Sequence, residues 1–218
     1  AVDQPAIKQI ILFAPATKLF STYHYLAAQH QCHKLRKRLG ISSSEVLNND
    51  YVRYCTFPIS PVIQILKLAK KLRRRIHGKT LPPSLTYLTL EDETVNPYSH
   101  IKLVRKNLGK SDQIMIYSKK PYPFPIPQIQ NRSSVFIHEN IIDFSHVSMH
   151  ISPRNIHYGQ HGDYIDYDHL MTDEKQWGKP RELGSITKAN LHYSHLGRLR
   201  YNPDFDQVID DIIQFTTS

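Results

Sequence analysis

Ser84-Leu85-Thr86-Tyr87-Leu88-Thr89-Leu90-Glu91-Asp92-Glu93-Thr94-Val95 is the stretch whose reading decides the fold class. Its first seven residues alternate and are β-prone, Pro82-Pro83 introduce them, and an acidic turn follows at once. Carboxylates therefore sit at the C-terminal tip of a strand. Asn96 and Pro97 then open a helix that carries Ile101, Val104 and Leu108 inward and stops at Gly109, before a short apolar strand at Gln113-Ile114-Met115-Ile116-Tyr117. Strand, helix and strand in this order imply a parallel sheet and an α/β fold.

Upstream, Lys8-Gln9-Ile10-Ile11-Leu12-Phe13-Ala14 is a continuous apolar run between Pro5 and Pro15, the pattern of a parallel strand covered on both faces. Residues 17 to 80 read as helical and irregular. One helix ends near Leu39-Gly40, and Ser42-Ser43-Ser44-Glu45 opens the next with a capping box. The clearest helix runs from Ser60 to Ile76, with Pro61 at its first position and Val62, Ile65, Leu66, Ala69, Leu72 and Ile76 on one face. Lys67, Lys70, Lys71, Arg74 and Arg75 fall on the other side. That basic side fits either a solvated face or a contact with anionic lipid or an acidic partner. No interleaved aromatics or reading motif accompany it, so nucleic acid is not expected.

Downstream, Pro121-Tyr122-Pro123-Phe124-Pro125-Ile126-Pro127 lacks an amide hydrogen at alternate residues and predicts an extended connector over the surface. Ser134-Val135-Phe136-Ile137-His138 predicts a short strand leading to Ile142-Asp143-Phe144-Ser145-His146-Val147-Ser148-Met149. Residues 151 to 201 are rich in His, Tyr, Gly and Asp and predict a long ordered loop on the domain surface. Asn202-Pro203 opens a closing helix with Phe205, Val208, Ile209, Ile212 and Phe215 on one side.

A chain of 218 residues with 40% hydrophobic content is long enough to bury a substantial core. Its net charge of +9 sits largely in short runs, the helix above among them. No apolar stretch is long enough to cross a bilayer, and Ala1-Val2-Asp3-Gln4-Pro5 lacks the regions of a signal peptide, which predicts a soluble or peripheral chain. Cys32 and Cys55 match no metal spacing and leave both one bridge and two buried thiols open.

Functional groups of an open parallel sheet collect outside the C-terminal ends of its strands, where Asp92 and His146 can meet. A buried carboxylate that accepts a hydrogen bond from imidazole fixes its tautomer and stabilises the imidazolium formed when the other ring nitrogen takes a proton. At these residues the chain resembles the C-terminal portion of an α/β-hydrolase of the serine esterase, lipase and lysophospholipase type. Ile10-Ile11-Leu12-Phe13-Ala14-Pro15-Ala16 resembles the strand after the nucleophile helix, and Leu88 to Val95 resembles the strand and turn bearing the acid. Ser145-His146-Val147-Ser148 resembles the histidine loop, and Asn202-Pro203-Asp204-Phe205 the start of the closing helix.

The resemblance implies an α/β-hydrolase-like parallel sheet, incomplete here, with a core strand at 1–16, a helical cap insertion at 17–80, and the C-terminal part of the core at 81–218. It implies ester hydrolysis with His146 as general base and Asp92 orienting it, and it calls for no cofactor. The family's G-x-S-x-G elbow is missing. Gly40-Ile41-Ser42-Ser43-Ser44 lacks the second glycine, and a helix end plus capping box accounts for it better than a nucleophile at Ser42. The serine and oxyanion hole are therefore expected upstream of Ala1, in an N-terminal half that would be this chain's partner.

Three rivals stand beside this expectation. Glu91 or Glu93 could replace Asp92 as the acid. His146 and His150, with His157, His161, Asp163, Asp166, Asp168 and His169, could bind zinc, although the glutamate of H-E-x-x-H is absent and Pro153 and Gly159 break any helix. A catalytically inactive hydrolase fold could serve as a binding module, with the basic helix as its contact surface.

Overall fold

The computed structural model describes residues 6–20, 59–76, 79, 81–105, 108–162, 182–185, 187 and 196–217. Four strands form one parallel sheet in the order β1 (Ile10–Phe13), β2 (Ser84–Thr89), β3 (Gln113–Ser118) and β4 (Ile129–Ser133). Helix α1 (Ile59–Ile76) precedes β2, α2 (Pro97–Val104) links β2 to β3, and α3 (Phe205–Thr217) closes the chain. A smaller parallel pair, β5 (Glu182–Gly184) and β6 (Leu196–Arg198), lies within the stretch expected to be loop. The α/β class and the parallel pairing of β2 with β3 are as the sequence predicts.

Alternation along β2 and β3 divides the core between two faces. Leu85, Tyr87, Met115 and Tyr117 pack with Phe144, Met149, Leu199, Val208 and Phe215, so α3 and the His146 loop cover one side. Leu88, Ile114 and Ile116 pack with Ile101 of α2 on the other. Burying side chains of this size stabilises by about 1.5–3 kcal/mol each. Asn96 caps α2 by accepting from the Ser99 amide at 2.8 Å, and the helix ends at Val104, leaving Leu108 to pack on the same cluster from beyond its end.

Polar bonds latch α3 to the sheet. Tyr87 Oη donates to Asp211 Oδ2 and Tyr117 Oη to Asp204 Oδ2, both at 2.8 Å, while Arg132 of β4 ion-pairs with Asp211 at 2.8 Å. Burial raises both phenols, Tyr117 to about 12. Of the apolar side foreseen for α3, Val208 and Phe215 are buried but Ile209 is 39% exposed, because Asp211 instead turns inward to Arg132.

Three expectations change, and one strand was not foreseen. β1 is an edge strand among the described residues, and its residues are half-buried rather than covered on both faces. Ile10 donates to the Pro83 carbonyl and Ala14 to the Tyr87 carbonyl, so the alternation of the strand points the Ile11 and Phe13 amides away from β2. Residues 134–138 form no strand: Phe136 makes an isolated bridge to Ile141, and Ile137–Glu139 turns as a 3-10 helix. β4, with the sequence Ile-Gln-Asn-Arg-Ser, takes the strand position directly after the proline-rich connector. On α1, Ala69 and Ile76 are buried, but Ile65 and Leu72 remain 36% and 42% exposed among the described residues. The expected helices around Gly40 and Ser42, and both cysteines, lie outside the described residues.

Candidate functional site

The C-terminal ends of β2 and β3 and the loop after β4 converge on the acidic turn. Glu91 takes a structural part there. Its carboxylate accepts from the Lys119 amide at 2.8 Å and from Ser134 Oγ at 3.1 Å, and Thr89 Oγ1 lies 3.2 Å away, so it ties three strand ends together. None of these bonds reaches His146.

Asp92 is buried, and its Oδ1 accepts from the amides of Thr94 and Val95, both at 2.7 Å. These bonds fold the turn back on itself and lock the carboxylate in place. Burial pushes its carboxyl up to about 6, against the opposing pull of His146 and the two amides.

His146 is carried on a segment pinned at both ends. Phe144 is buried in stacked contact with Tyr117, ring centroids 4.7 Å apart, and with Phe136 at 5.8 Å. Ser145 Oγ donates to the Leu199 carbonyl at 2.6 Å, Ser148 Oγ to the Ser145 carbonyl at 2.8 Å, and Asn202 to the carbonyl of buried Met149 at 3.2 Å. Asp143, just before, accepts from the Ser185 amide at 2.5 Å and pairs with Lys119 at 2.7 Å. Gly184 is required there, since a Cβ would stand 2.6 Å from Asp143 Oδ1.

The structure brings Asp92 and His146 together, with Nδ1 of the ring 3.9 Å from Asp92 Oδ1. The direct hydrogen bond goes to the next residue. His146 Nδ1 lies 3.0 Å from Glu93 Oε1, and Arg198 Nη1 of β6 lies 3.0 Å from the same oxygen. Burial alone would raise the Glu93 carboxyl, but His146 and Arg198 outweigh it and hold it below the ordinary carboxylate range. Glu93 is thus the ionised partner of the imidazole, and Asp92 stands one step behind.

Nδ1 is thus the engaged ring nitrogen of His146, on a side chain 24% exposed. His150 carries its proton less readily than a free imidazole, through burial and the nearby charge of His146.

The histidines proposed as a zinc set do not converge among the described residues. His157 is buried against Tyr158, His161 is exposed, and Asp163, Asp166, Asp168 and His169 lie outside the described residues. One atom each from Asp92, Glu93 and His146 lies within 4.8 Å of the others, a spacing that could receive a divalent cation. The Arg198 guanidinium already supplies positive charge at Glu93 Oε1, so the arrangement reads better as an ion-paired cluster than as a metal centre. Arg198 gave no signal in the sequence, because it reaches the site from a short strand that periodicity could not find.

The exposed cations of α1 are those expected: Lys67, Lys70, Lys71, Arg74 and Arg75 all face solvent. Arg73, absent from that set, instead turns in and donates to the Thr17 carbonyl. No described helix is long and apolar enough to cross a membrane. No protein-family model, curated protein or solved structure matches this chain, and its function therefore rests on the geometry of the site.

Proposed function

We propose that this chain is the acid-and-histidine portion of a serine hydrolase that cleaves carboxylic esters, with the α/β-hydrolase fold completed by a segment upstream of residue 1. The observation that carries the proposal is the buried carboxylate and imidazole held together at the C-terminal ends of parallel strands. His146 Nε2 takes the proton of an incoming serine hydroxyl as its oxygen attacks the ester carbonyl. It then returns that proton to the departing alcohol, and water repeats the cycle on the acyl-enzyme. Glu93 holds Nδ1 and stabilises the imidazolium, Asp92 adds negative charge behind it, and Arg198 orients Glu93.

The test uses the complete protein, with its upstream segment, a fluorophosphonate probe and a p-nitrophenyl ester. Labelling of an upstream serine, with turnover abolished by His146→Ala, supports the hydrolase. Absence of labelling in the folded complete protein supports the second reading, an inactive binding module that contacts an anionic membrane or acidic partner through Lys67, Lys70, Lys71, Arg74 and Arg75. The specific observation behind that second reading is the exposure of all five cations on one helix.

A further inference from the structure

Helix α1 stands beside the acidic turn. Leu66 packs against Leu19 and Val95, and Val95 is the residue whose amide donates to Asp92. Arg73 clamps the same helix to the segment after β1 through the Thr17 carbonyl. Between α1 and that segment runs an open groove of about 480 Å³, lined by Ile65, Leu68, Ala69, Leu72 and Ala16, with Lys71 and Arg75 as its charged residues.

We propose that this groove binds the acyl chain of a single-chain amphiphile with an anionic head, a long-chain carboxylate. The proposal builds on the hydrolase reading, for which such a carboxylate is the released acid. The volume is within the range of about 300–1,000 Å³ usual for small-molecule sites. Its walls offer a ligand almost no hydrogen-bond partners, so what fills it must be apolar along its length. Leu68 and Leu72 are one helical turn apart, as are Lys71 and Arg75, which sets the cations toward one end of the apolar strip.

The helix C-terminus alone would repel an anion, but Arg73, Arg74 and Arg75 of the last turn reverse that sign. Concavity favours one inserted chain over a flat bilayer, and 63% exposure of Leu68 leaves the groove open among the described residues.

The experiment is calorimetric titration of dodecanoate, below micelle-forming concentrations, into the same complete protein in which ester hydrolysis is read. Dodecyltrimethylammonium, with the same chain and the opposite head charge, serves as the comparison. Saturable binding of one dodecanoate, weakened about tenfold or more by Leu68→Asp, is expected from loss of the apolar contact. Lys71→Glu should weaken dodecanoate severalfold and strengthen the ammonium probe.

Leu68 is a surface residue, so the variant keeps its fold, which circular dichroism verifies. No saturable binding by the folded protein overturns the proposal. Equal affinity for both head groups, or an unchanged Leu68→Asp, does so as well. Binding is read without turnover. Lost ester hydrolysis with dodecanoate binding intact therefore counts against the hydrolase alone, and the reverse result against the groove alone.

Discussion

Replacing His100 with leucine should make the protein more stable, and increasingly so in acid. His100 lies on α2, is 2% exposed, and both its ring nitrogens are buried without a hydrogen-bond partner among the described residues. Leaving a polar group unsatisfied costs about 1–3 kcal/mol, so His100→Leu should gain a similar amount at neutral pH. Burial also lowers the imidazole from the ordinary 6.5 to about 4. The unfolded chain thus binds a proton near pH 6.5 that the folded chain refuses until about pH 4. The stabilisation from keeping His100 neutral is complete above the unfolded pKa and is lost as pH falls from 6.5 toward 4, a loss of about 3 kcal/mol.

Urea unfolding of wild type and His100→Leu at several pH values between about 7.5 and 4.5 would read this directly. Asp92 titrates the other way, but it is present in both proteins, so the difference between them isolates His100. A stability difference that is constant across the range, or a variant less stable at every pH, would refute the burial argument.

On the proposed hydrolase reading, Glu93→Gln in the complete protein should lower kcat about 10⁴-fold and Asp92→Asn clearly less, since only Glu93 bonds the ring directly; the opposite ranking would return the acid to Asp92. Burial raises the Asp92 carboxyl, so the stability it contributes is present below its unfolded pKa of 3.8 and lost as pH rises through about 6. Asp92→Asn should accordingly gain stability over wild type above about pH 6 and lose that advantage in acid, as thermal unfolding at the two extremes would show. Gly184→Ala drives a methyl to 2.6 Å from Asp143 Oδ1 and should cost about 1–3 kcal/mol in urea unfolding. Arg132→Met strands buried Asp211 and should cost about 3 kcal/mol or more, with Asp211→Leu in the same chain restoring part of the loss.

The sequence made the elements of strong periodicity legible. β2, α2, β3 and α3 were readable because turns with proline or asparagine bound them and their apolar residues recur at one period. β4 was not, because its edge position among the described residues lets a strand be polar: Gln130 and Asn131 are exposed, and proline precedes it. β5 and β6, three residues each, are too short to show a period.

At the site, the meeting of His146 with the acidic turn was anticipated from strand-end logic together with the resemblance to the hydrolase acid turn and histidine loop. Which carboxylate receives Nδ1 could not. Asp92 commits its Oδ1 to the Thr94 and Val95 amides, which leaves Glu93 to reach the ring, and only three-dimensional placement reveals that choice. Arg198 escaped for the same reason, its pairing with Glu93 spanning more than a hundred positions.

The half-buried edge of β1 has a consequence for handling the protein. Isoleucine, leucine and phenylalanine stand there beside backbone groups that, among the described residues, face away from the sheet, a template onto which an extended apolar chain can zip. The rate of self-association should then rise with the square of concentration, because two molecules must meet to seal one edge. Dilution, or co-expression with a segment that lies along Ile11 and Phe13, should rescue solubility where a stabilising core mutation does not. In that sense β1 acts as the adhesive margin of the fold, and its first occupant decides whether the chain assembles or precipitates.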